Sequence, residues 1–149
     1  MTEQMRDDAA LVASSRKWQT TGVVVLLLLV LAFPAYRVVE SHRRTDALTA
    51  QNTALVMGGR QLWSQNCTTC HGVTGQGVNA PALNTQQFLT GANDLQIHGI
   101  IAGGVPGTAM PAWWNEYGGP LTDQQISELV AYLRSWQPKA PSNPNWRTP

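Results

Sequence analysis

The chain has 149 residues, of which 43% are hydrophobic and 13% are charged, and its formal net charge is +1. The charged share is about half the ~25% typical of soluble domains, and a low net charge beside this apolar content excludes an intrinsically disordered chain. A nucleic-acid-binding protein carries a basic patch, and none is visible here, so we expect no nucleic-acid partner. The two cysteines lie three positions apart, which excludes a disulfide framework spanning the fold.

An uncharged stretch of 19 residues runs from Trp18 to Tyr36 and contains an unbroken apolar run from Val23 to Phe33. At a rise of ~1.5 Å per residue, a helix of that length spans about 28 Å, close to the ~30 Å hydrocarbon core of a bilayer. Trp18 and Tyr36 lie at the two ends, where amphipathic rings prefer the headgroup level. The pattern therefore predicts one transmembrane helix over residues 18–36, in contact with a lipid bilayer.

Two other interpretations of this stretch are a buried core helix and a cleaved signal peptide. A helix that is apolar on every side needs a larger protein around it than 149 residues provide. A signal peptide also places basic residues before an apolar stretch. Its best cleavage position, after Ala35, would put Phe33 where a small residue is needed. We therefore favour a retained membrane anchor.

The composition changes along the chain and predicts five segments. We expect a polar N-terminal segment with a short surface helix over residues 1–17, the membrane helix over 18–36, a helical stalk over 37–51, a compact domain over 52–137 and a C-terminal tail over 138–149. The tail has four prolines in twelve residues and is expected to be extended, with little core of its own. Three basic residues lie on each side of the membrane helix, so the positive-inside rule gives no orientation.

The apolar periodicity within residues 52–137 is helical and strand signals are weak, which predicts an all-α domain. We expect a first helix capped by Asn52 or Thr53 and ending near residue 66, and a short helix over residues 93–102. A T-x-x-Q capping box at Thr122 and Gln125 marks the start of the last helix, and Pro138 is expected to stop it. The core-facing stripe of that helix recurs at i, i+3, i+4 and i+7, as Ile126, Leu129, Val130 and Leu133.

The sequence Cys67-Thr68-Thr69-Cys70-His71 carries the chemistry. A zinc site needs four ligands, and the chain has no further cysteine and no histidine at a suitable spacing. A thioredoxin-like dithiol needs a βαβ context, and no strand pattern precedes the motif. Two thiols at this spacing at the end of a helix can add to the two vinyl groups of one porphyrin, and the adjacent imidazole can then bind the iron. We therefore expect one covalently attached haem c, bound through Cys67 and Cys70 with His71 as an axial ligand.

An electron carrier needs a second axial ligand, and Met110 is the favoured candidate. It lies on a Gly- and Pro-rich loop, GGVPGTAMPAWW, that can cross the other face of the ring. A thioether favours Fe(II) and raises the reduction potential relative to a second histidine. A methionine that only fills core usually lies on a helix. His98, on the predicted short helix, is the alternative ligand and would give a bis-histidine haem of low potential.

The cysteine pair is one of a series of short motifs along residues 52–137. They are Gly59-x-x-Leu62-Trp63, Cys67-x-x-Cys70-His71-Gly72, Gly75-x-Gly77, Pro81-x-Leu83, Met110-Pro111, Leu121-Thr122-Asp123 and Tyr132. With these motifs, residues 52–137 resemble a class I cytochrome c. In that family the first and last helices cross closely, which implies a contact at Gly59 with Trp63 and Tyr132 beside it.

The resemblance also implies roles for residues around the haem. The Pro81 carbonyl is expected to accept a hydrogen bond from the imidazole of His71, which would orient the ring and raise its basicity. Trp113 or Trp114 is expected to line the haem or to approach a propionate. An iron bound by both His71 and Met110 has no open position for a substrate, so the resemblance implies one-electron transfer and no catalysis by the chain itself.

Haem c is attached outside the cytoplasm in bacteria. The resemblance therefore implies a single-pass protein of the cell membrane, with a cytoplasmic N-terminus and the haem domain on the periplasmic side. Residues 52–149 carry four acidic and four basic side chains, so long-range steering of a diffusing partner should be weak. A tether instead raises the effective concentration of the domain beside its partner.

We therefore expect a subunit of a larger respiratory or photosynthetic membrane complex, whose partners are other subunits and redox donor and acceptor proteins. Similar one-helix, one-haem subunits occur in alternative complex III, in haem–copper oxidases and in nitric oxide reductase. Trp146, in the tail, is a candidate anchor to such a neighbouring subunit. The alternatives are a free-standing anchored electron shuttle and a haem enzyme or sensor with an open iron position.

Overall fold

The computed structural model describes the backbone of residues 2–148 and the side chains of residues 17–148. That part of the chain contains five α-helices, two 3₁₀ turns and no strand, with one isolated bridge between Trp114 and Leu121. The helices are α1 (Thr2–Asn66), α2 (Thr68–His71), α3 (Gln86–Gly91), α4 (Asp94–Gly103) and α5 (Asp123–Ser135), and the 3₁₀ turns are Asn115–Tyr117 and Gln137–Lys139. The predicted all-α fold is therefore confirmed.

Helix α1 is continuous, so the expected helix start at Asn52 or Thr53 is wrong. No glycine or proline lies between residues 35 and 57 to interrupt the helix. The hydroxyl of Thr53 donates to the carbonyl oxygen of Thr49 at 2.8 Å, and this back-bonding geometry belongs to a helix interior and not to a cap. The short helix expected over residues 1–17 is, from Thr2 onward, the beginning of α1, and the side chains of residues 1–16 lie outside the described part.

The chain divides into two compact units, Met1–Leu48 and Thr49–Pro149. In the first unit, every side chain from Val23 to Leu31 is at least half exposed. The helix that carries them is long and apolar enough to cross a membrane, and none of its most apolar window is buried inside the protein. Soluble monomers rarely expose an apolar surface of this extent, so the apolar stretch is not a core helix of this chain.

The second unit contains α4 and α5, two helices that the sequence predicted, the second of them with its capping box. Helix α4 begins after Asn93 and α5 begins after Thr122, and in each the cap side chain and the third helical residue, a glutamine, satisfy each other's backbone amides. Helix α5 ends at Ser135, before Pro138, which lies inside the second 3₁₀ turn. Helix α3 was not predicted, and its N-cap is the buried Thr85.

The end of α1 and helix α5 cross at Gly59. A Cβ atom at this position would lie 2.0 Å from the carbonyl oxygen of Glu128 and 2.8 Å from Cβ of Tyr132, so only glycine permits the approach. Trp63 lies one turn further along α1, is 3% exposed, and packs with its ring centroid 6.2 Å from that of Tyr132. The helix crossing implied by the sequence resemblance is thus present. The largest fully buried apolar side chains around it are Leu89, Ile97, Ile126, Leu129 and Leu133.

The tail does not match its prediction. Pro141 O accepts a hydrogen bond from the amide of Gln86 at 3.0 Å, and the side chain of Gln87 bonds to Ser142 Oγ at 2.9 Å and to the amide of Asn143 at 2.8 Å. The tail therefore packs on its own domain by backbone and amide hydrogen bonds that proline-rich composition does not reveal.

Trp146 is the main apolar contact of the tail. Its ring centroid lies 5.4 Å from that of Phe88, and Arg147 Cζ lies 4.4 Å above the indole on which it stacks. The expectation that Trp146 anchors the chain to a neighbouring subunit stays a prediction; the indole is partly buried against the core of its own domain.

Candidate functional site

The cysteine motif lies where α1 ends and the single-turn helix α2 follows. The amide of Cys67 donates to Trp63 O at 3.0 Å, and the amide of His71 donates to Cys67 O at 3.0 Å, so helical bonding continues through the motif. No disulfide joins the two cysteines; Cys67 is half-buried and Cys70 is exposed. Burial, and to a lesser extent the neighbouring Cys70, raise the pKa of Cys67 to about 11. Burial therefore disfavours the thiolate form of the Cys67 side chain.

His71 is oriented by a backbone oxygen. Nδ1 of its imidazole lies 2.9 Å from the carbonyl oxygen of Pro81. A carbonyl oxygen only accepts, so Nδ1 carries the proton in this bond. The lone pair of the neutral ring then lies on Nε2, the other ring nitrogen, where it is available to a metal. Among the described residues, no hydrogen-bond partner competes for Nε2.

The loop over residues 72–84 wraps back on the cysteine motif. The carbonyl oxygen of Cys70 accepts from the three consecutive amides of residues 78–80, at 3.0 to 3.2 Å. Gly75 O accepts from the amides of Leu83 and Asn84 at 2.7 and 3.1 Å. Gly75 itself has φ of +75° and lies against the Trp136 ring, which a Cβ atom would approach to 2.4 Å. These bonds fix the position of the Pro81 carbonyl.

An aromatic cluster supports the imidazole from the helix-crossing side. The ring of Trp63 lies 5.9 Å from that of His71 and 5.1 Å from that of Trp136, which in turn lies 5.0 Å from Tyr132. The indole N–H of Trp63 is shared between the carbonyl oxygens of Gly72 and Val73, each at 3.2 Å. Sequence reasoning gave Trp63 a packing role only and missed Trp136. For Trp63, the available signal in the sequence was its position four residues before the first cysteine.

Met110 is half-buried and lies on a hydrogen-bonded turn. Its carbonyl oxygen accepts from the amide of Val105 at 3.1 Å, and its amide donates to Thr108 Oγ1 at 3.2 Å. The Thr108 hydroxyl in turn donates to Val105 O at 2.8 Å. Within the described part of the chain, no hydrogen bond or ring contact joins Met110 to His71.

The two tryptophans after Met110 belong to the scaffold of this turn. The amide of Trp113 donates to the carbonyl oxygens of Ile101 and Ala102, at 3.1 and 3.2 Å, and Trp113 O accepts from Leu121 at 2.8 Å. The Trp114 ring packs edge-on against Tyr117 at 5.0 Å. Both indoles are partly buried against the core.

His98, the alternative axial ligand, already has a partner. Its Nε2 lies 3.1 Å from Oδ1 of Asp123, the first residue of α5. This pair ties α4 to the start of α5 and gives His98 a structural role.

Comparison with known proteins agrees with these features. The family model for cytochrome c matches residues 56–137. The cbb3-type cytochrome c oxidase subunit CcoP of Azospirillum sp. (strain B510) is 36% identical over 94 residues, which cover 56% of this chain and 31% of that protein. Cytochrome c55X of Stutzerimonas stutzeri is 37% identical over 78 residues, which cover 52% of this chain and 65% of that protein.

A solved structure is also similar. The crystal structure of cytochrome cL from the marine methylotrophic bacterium Methylophaga aminisulfidivorans MPT shares 28% identity, covers 55% of this chain and 53% of its own, and superposes with a TM-score of 0.48. Compared with the CcoP relative, the chain spans about a third of the length of that protein. Because the family model covers more than half of the residues, this chain belongs to the cytochrome c family and carries covalently bound haem c.

Proposed function

We propose that this chain is a membrane-anchored, mono-haem electron carrier that works as a subunit of a larger electron-transport complex. The observation that carries the proposal is the 2.9 Å hydrogen bond between His71 Nδ1 and Pro81 O. It fixes the ring and leaves Nε2 to bind iron, directly after a cysteine pair at the spacing of the two vinyl groups.

Attachment uses the two thiols. Each S–H adds across one vinyl double bond, so that sulfur bonds to one carbon and hydrogen to the other, and no oxidant is consumed. Cys67 and Cys70 suit this addition because they are unbridged and lie on one helical turn. The bound haem supplies an iron that accepts and releases one electron, and the chain holds that iron through His71.

Met110 is the proposed second ligand. Its turn keeps the thioether half-buried, and His98 is engaged with Asp123. Apolar side chains near the two ligand loops, Val78, Ile100 and Val105, are 39% to 54% exposed to solvent in the polypeptide. An apolar ring would cover such surfaces, and Trp113, partly buried after Met110, is proposed to contribute to the same lining. Iron closed on both faces favours electron transfer over substrate chemistry.

The anchor is the apolar part of α1. Its length and composition suit a bilayer, and the attachment of haem c outside the cytoplasm in bacteria supports a haem domain on that side. The proposed arrangement is a single pass with a cytoplasmic N-terminus and a periplasmic haem domain.

The proposed partners are other subunits of a membrane complex. The CcoP relative is by name a subunit of cbb3-type cytochrome c oxidase, which supports membership of a membrane complex here. Residues 52–149 carry four acidic and four basic side chains, so attraction of a distant partner is weak. An anchored domain beside a fixed neighbour needs no such attraction, because tethering keeps the effective concentration high.

The second-ligand proposal is tested by carbon monoxide. The ferrous wild-type protein should not bind CO on mixing, whereas Met110→Ala should bind it at once, as followed by the visible absorption spectrum. His98→Ala is the matched control and should remain closed. Rapid CO binding by the wild type would contradict the electron-carrier proposal and favour the haem enzyme or sensor. Opening by His98→Ala, with Met110→Ala still closed, would assign the ligand to His98.

Membership of a complex is tested by purification in mild detergent. The haem absorption should co-migrate with other subunits through size-exclusion chromatography, and those subunits identify the complex. Migration of the haem as a single 16.2 kDa chain in its micelle would favour a free-standing shuttle.

A further inference from the structure

The peptide group that joins Pro81 to Ala82 makes two hydrogen bonds, one on each side. Its carbonyl oxygen accepts from Nδ1 of His71 at 2.9 Å, and its N–H donates to the carbonyl oxygen of Trp146 at 2.9 Å. The peptide group is planar and trans, so its C=O and N–H point in opposite directions. Trp146, this peptide and His71 therefore form one hydrogen-bonded chain that links the tail to the proposed axial ligand.

The Trp146 carbonyl is held firmly in place. The indole of the same residue packs against Phe88. Hydrogen bonds between residues 141–143 and the residues Gln86 and Gln87 fix the preceding part of the tail. Ala82 is 5% exposed, so water has little access to its N–H. A buried amide without a partner is costly, and the tail supplies that partner.

We propose that the Trp146 carbonyl is a positioning group for the axial histidine and that the tail tunes the reduction potential through it. This inference rests on His71 being the iron ligand, as proposed above. Hydrogen bonds in a chain polarise one another, so donation by the Ala82 N–H makes the Pro81 oxygen a stronger acceptor. The Nδ1 proton of His71 is then drawn further towards Pro81, and Nε2 becomes a better electron donor.

The effect has a defined sign. A more electron-rich imidazole stabilises Fe(III) relative to Fe(II), so the docked tail lowers the midpoint potential and its loss raises it. The tail lies beyond the family match, which ends at residue 137. The tuning is therefore a property of this chain's own C-terminal segment.

The test uses the full-length holoprotein in detergent and a variant that ends at Ser142. The shortened variant should show a midpoint potential shifted upward in a spectroelectrochemical titration. Its Ala82 amide should exchange with deuterium about fivefold faster, as expected when a hydrogen bond worth ~1 kcal/mol is lost. Trp146→Ala, which keeps the chain intact but removes the indole contact with Phe88, should shift both values in the same direction by less, and it serves if the shortened chain does not fold.

Two controls separate tuning from general loss of stability. Trp146→Phe keeps a ring and the carbonyl and should restore the wild-type potential. Val130→Ala removes buried apolar volume from α5, leaves the sequence of the tail intact and should leave the potential unchanged. An unchanged potential in the shortened variant, or an equal shift in Val130→Ala, overturns this inference and leaves the electron-carrier proposal standing. CO binding by the wild type contradicts the electron-carrier proposal whatever the tail does.

Discussion

The loop that orients His71 and the loop that carries Met110 are held in different ways. The histidine-side loop, residues 72–84, is bonded to three other parts of the domain. The Trp63 indole reaches it from α1, the Cys70 carbonyl holds it from the cysteine motif, and the Trp146 carbonyl holds it from the tail. The backbone position that orients His71 is therefore determined by contacts from separate stretches of the sequence.

The methionine-side loop, residues 104–110, is held mainly by itself. Every hydrogen bond that the described structure shows for residues 105–110 joins two members of that turn, with Val105, Thr108 and Met110 as partners. Five of these six residues are exposed, and Met110 is half-buried. Segments with few buried contacts open at low free-energy cost, independently of global unfolding.

The comparison indicates that the two axial ligands have unequal support. The histidine-side loop shares its contacts with the domain core, so a substitution there should lower the free energy of unfolding of the whole domain. The methionine-side loop should open locally, with the rest of the domain intact. Changes at the two sites should therefore separate global stability from access to the iron.

The largest expected effect is at Trp63, which joins the core to the histidine-side loop. Trp63→Ala removes a buried aromatic ring and should lower the free energy of unfolding by roughly 3–5 kcal/mol. Urea unfolding of the holoprotein followed by circular dichroism measures it. Trp63→Phe keeps most of the packing but loses the bonds to Gly72 and Val73, and should cost about 1–2 kcal/mol. If Trp63→Ala kept the wild-type free energy of unfolding, the histidine-side loop would not depend on the domain core more than the methionine-side loop does.

A smaller loss is expected where α1 and α5 cross. In Gly59→Ala, the new methyl group would meet the Glu128 carbonyl oxygen at 2.0 Å, so the helices must move apart. The cost should be roughly 1–3 kcal/mol, as for other overpacked sites, and thermal unfolding measures it. Gly99→Ala in α4 is the matched control, because nothing lies within 4 Å of its new methyl group. It should be neutral or stabilising by up to ~1 kcal/mol, and equal losses in the two variants would contradict the helix contact.

The sequence predicted those structural features that depend on residues close together in the chain. The capping box predicted at Thr122 is a local signature, and α4 and α5 begin within one residue of where the sequence predicted. The cysteine motif and the apolar stretch are likewise read from adjacent residues. By contrast, the cap-like Thr53 did not start a helix, because its hydroxyl found a carbonyl oxygen one turn earlier in an uninterrupted helix.

Features set by distant residues were not predicted. The tail was expected to be extended because its prolines suggest it, yet Trp146 packs on Phe88, 58 positions earlier in the chain. Helix α3 has six residues, too few for a periodic apolar pattern, and its buried cap Thr85 is recognised only once the loop around it is folded. The roles of residues at the haem stay predictions, since the fold positions His71 and Pro81 but the iron ligands await the CO experiment.

The smallest expected effect separates the two loops most directly. Thr108→Val removes the hydroxyl that accepts from the Met110 amide and donates to Val105 O, which weakens the turn by about 1 kcal/mol. Because the turn opens locally, imidazole added to the ferric protein should displace Met110 about fivefold faster, with little change in global stability. Thr74→Val on the histidine-side loop removes a comparable bond to Gln76, and stopped-flow absorbance should show no acceleration there. Equal acceleration by both variants would mean that the two loops open together, which would contradict the difference between them.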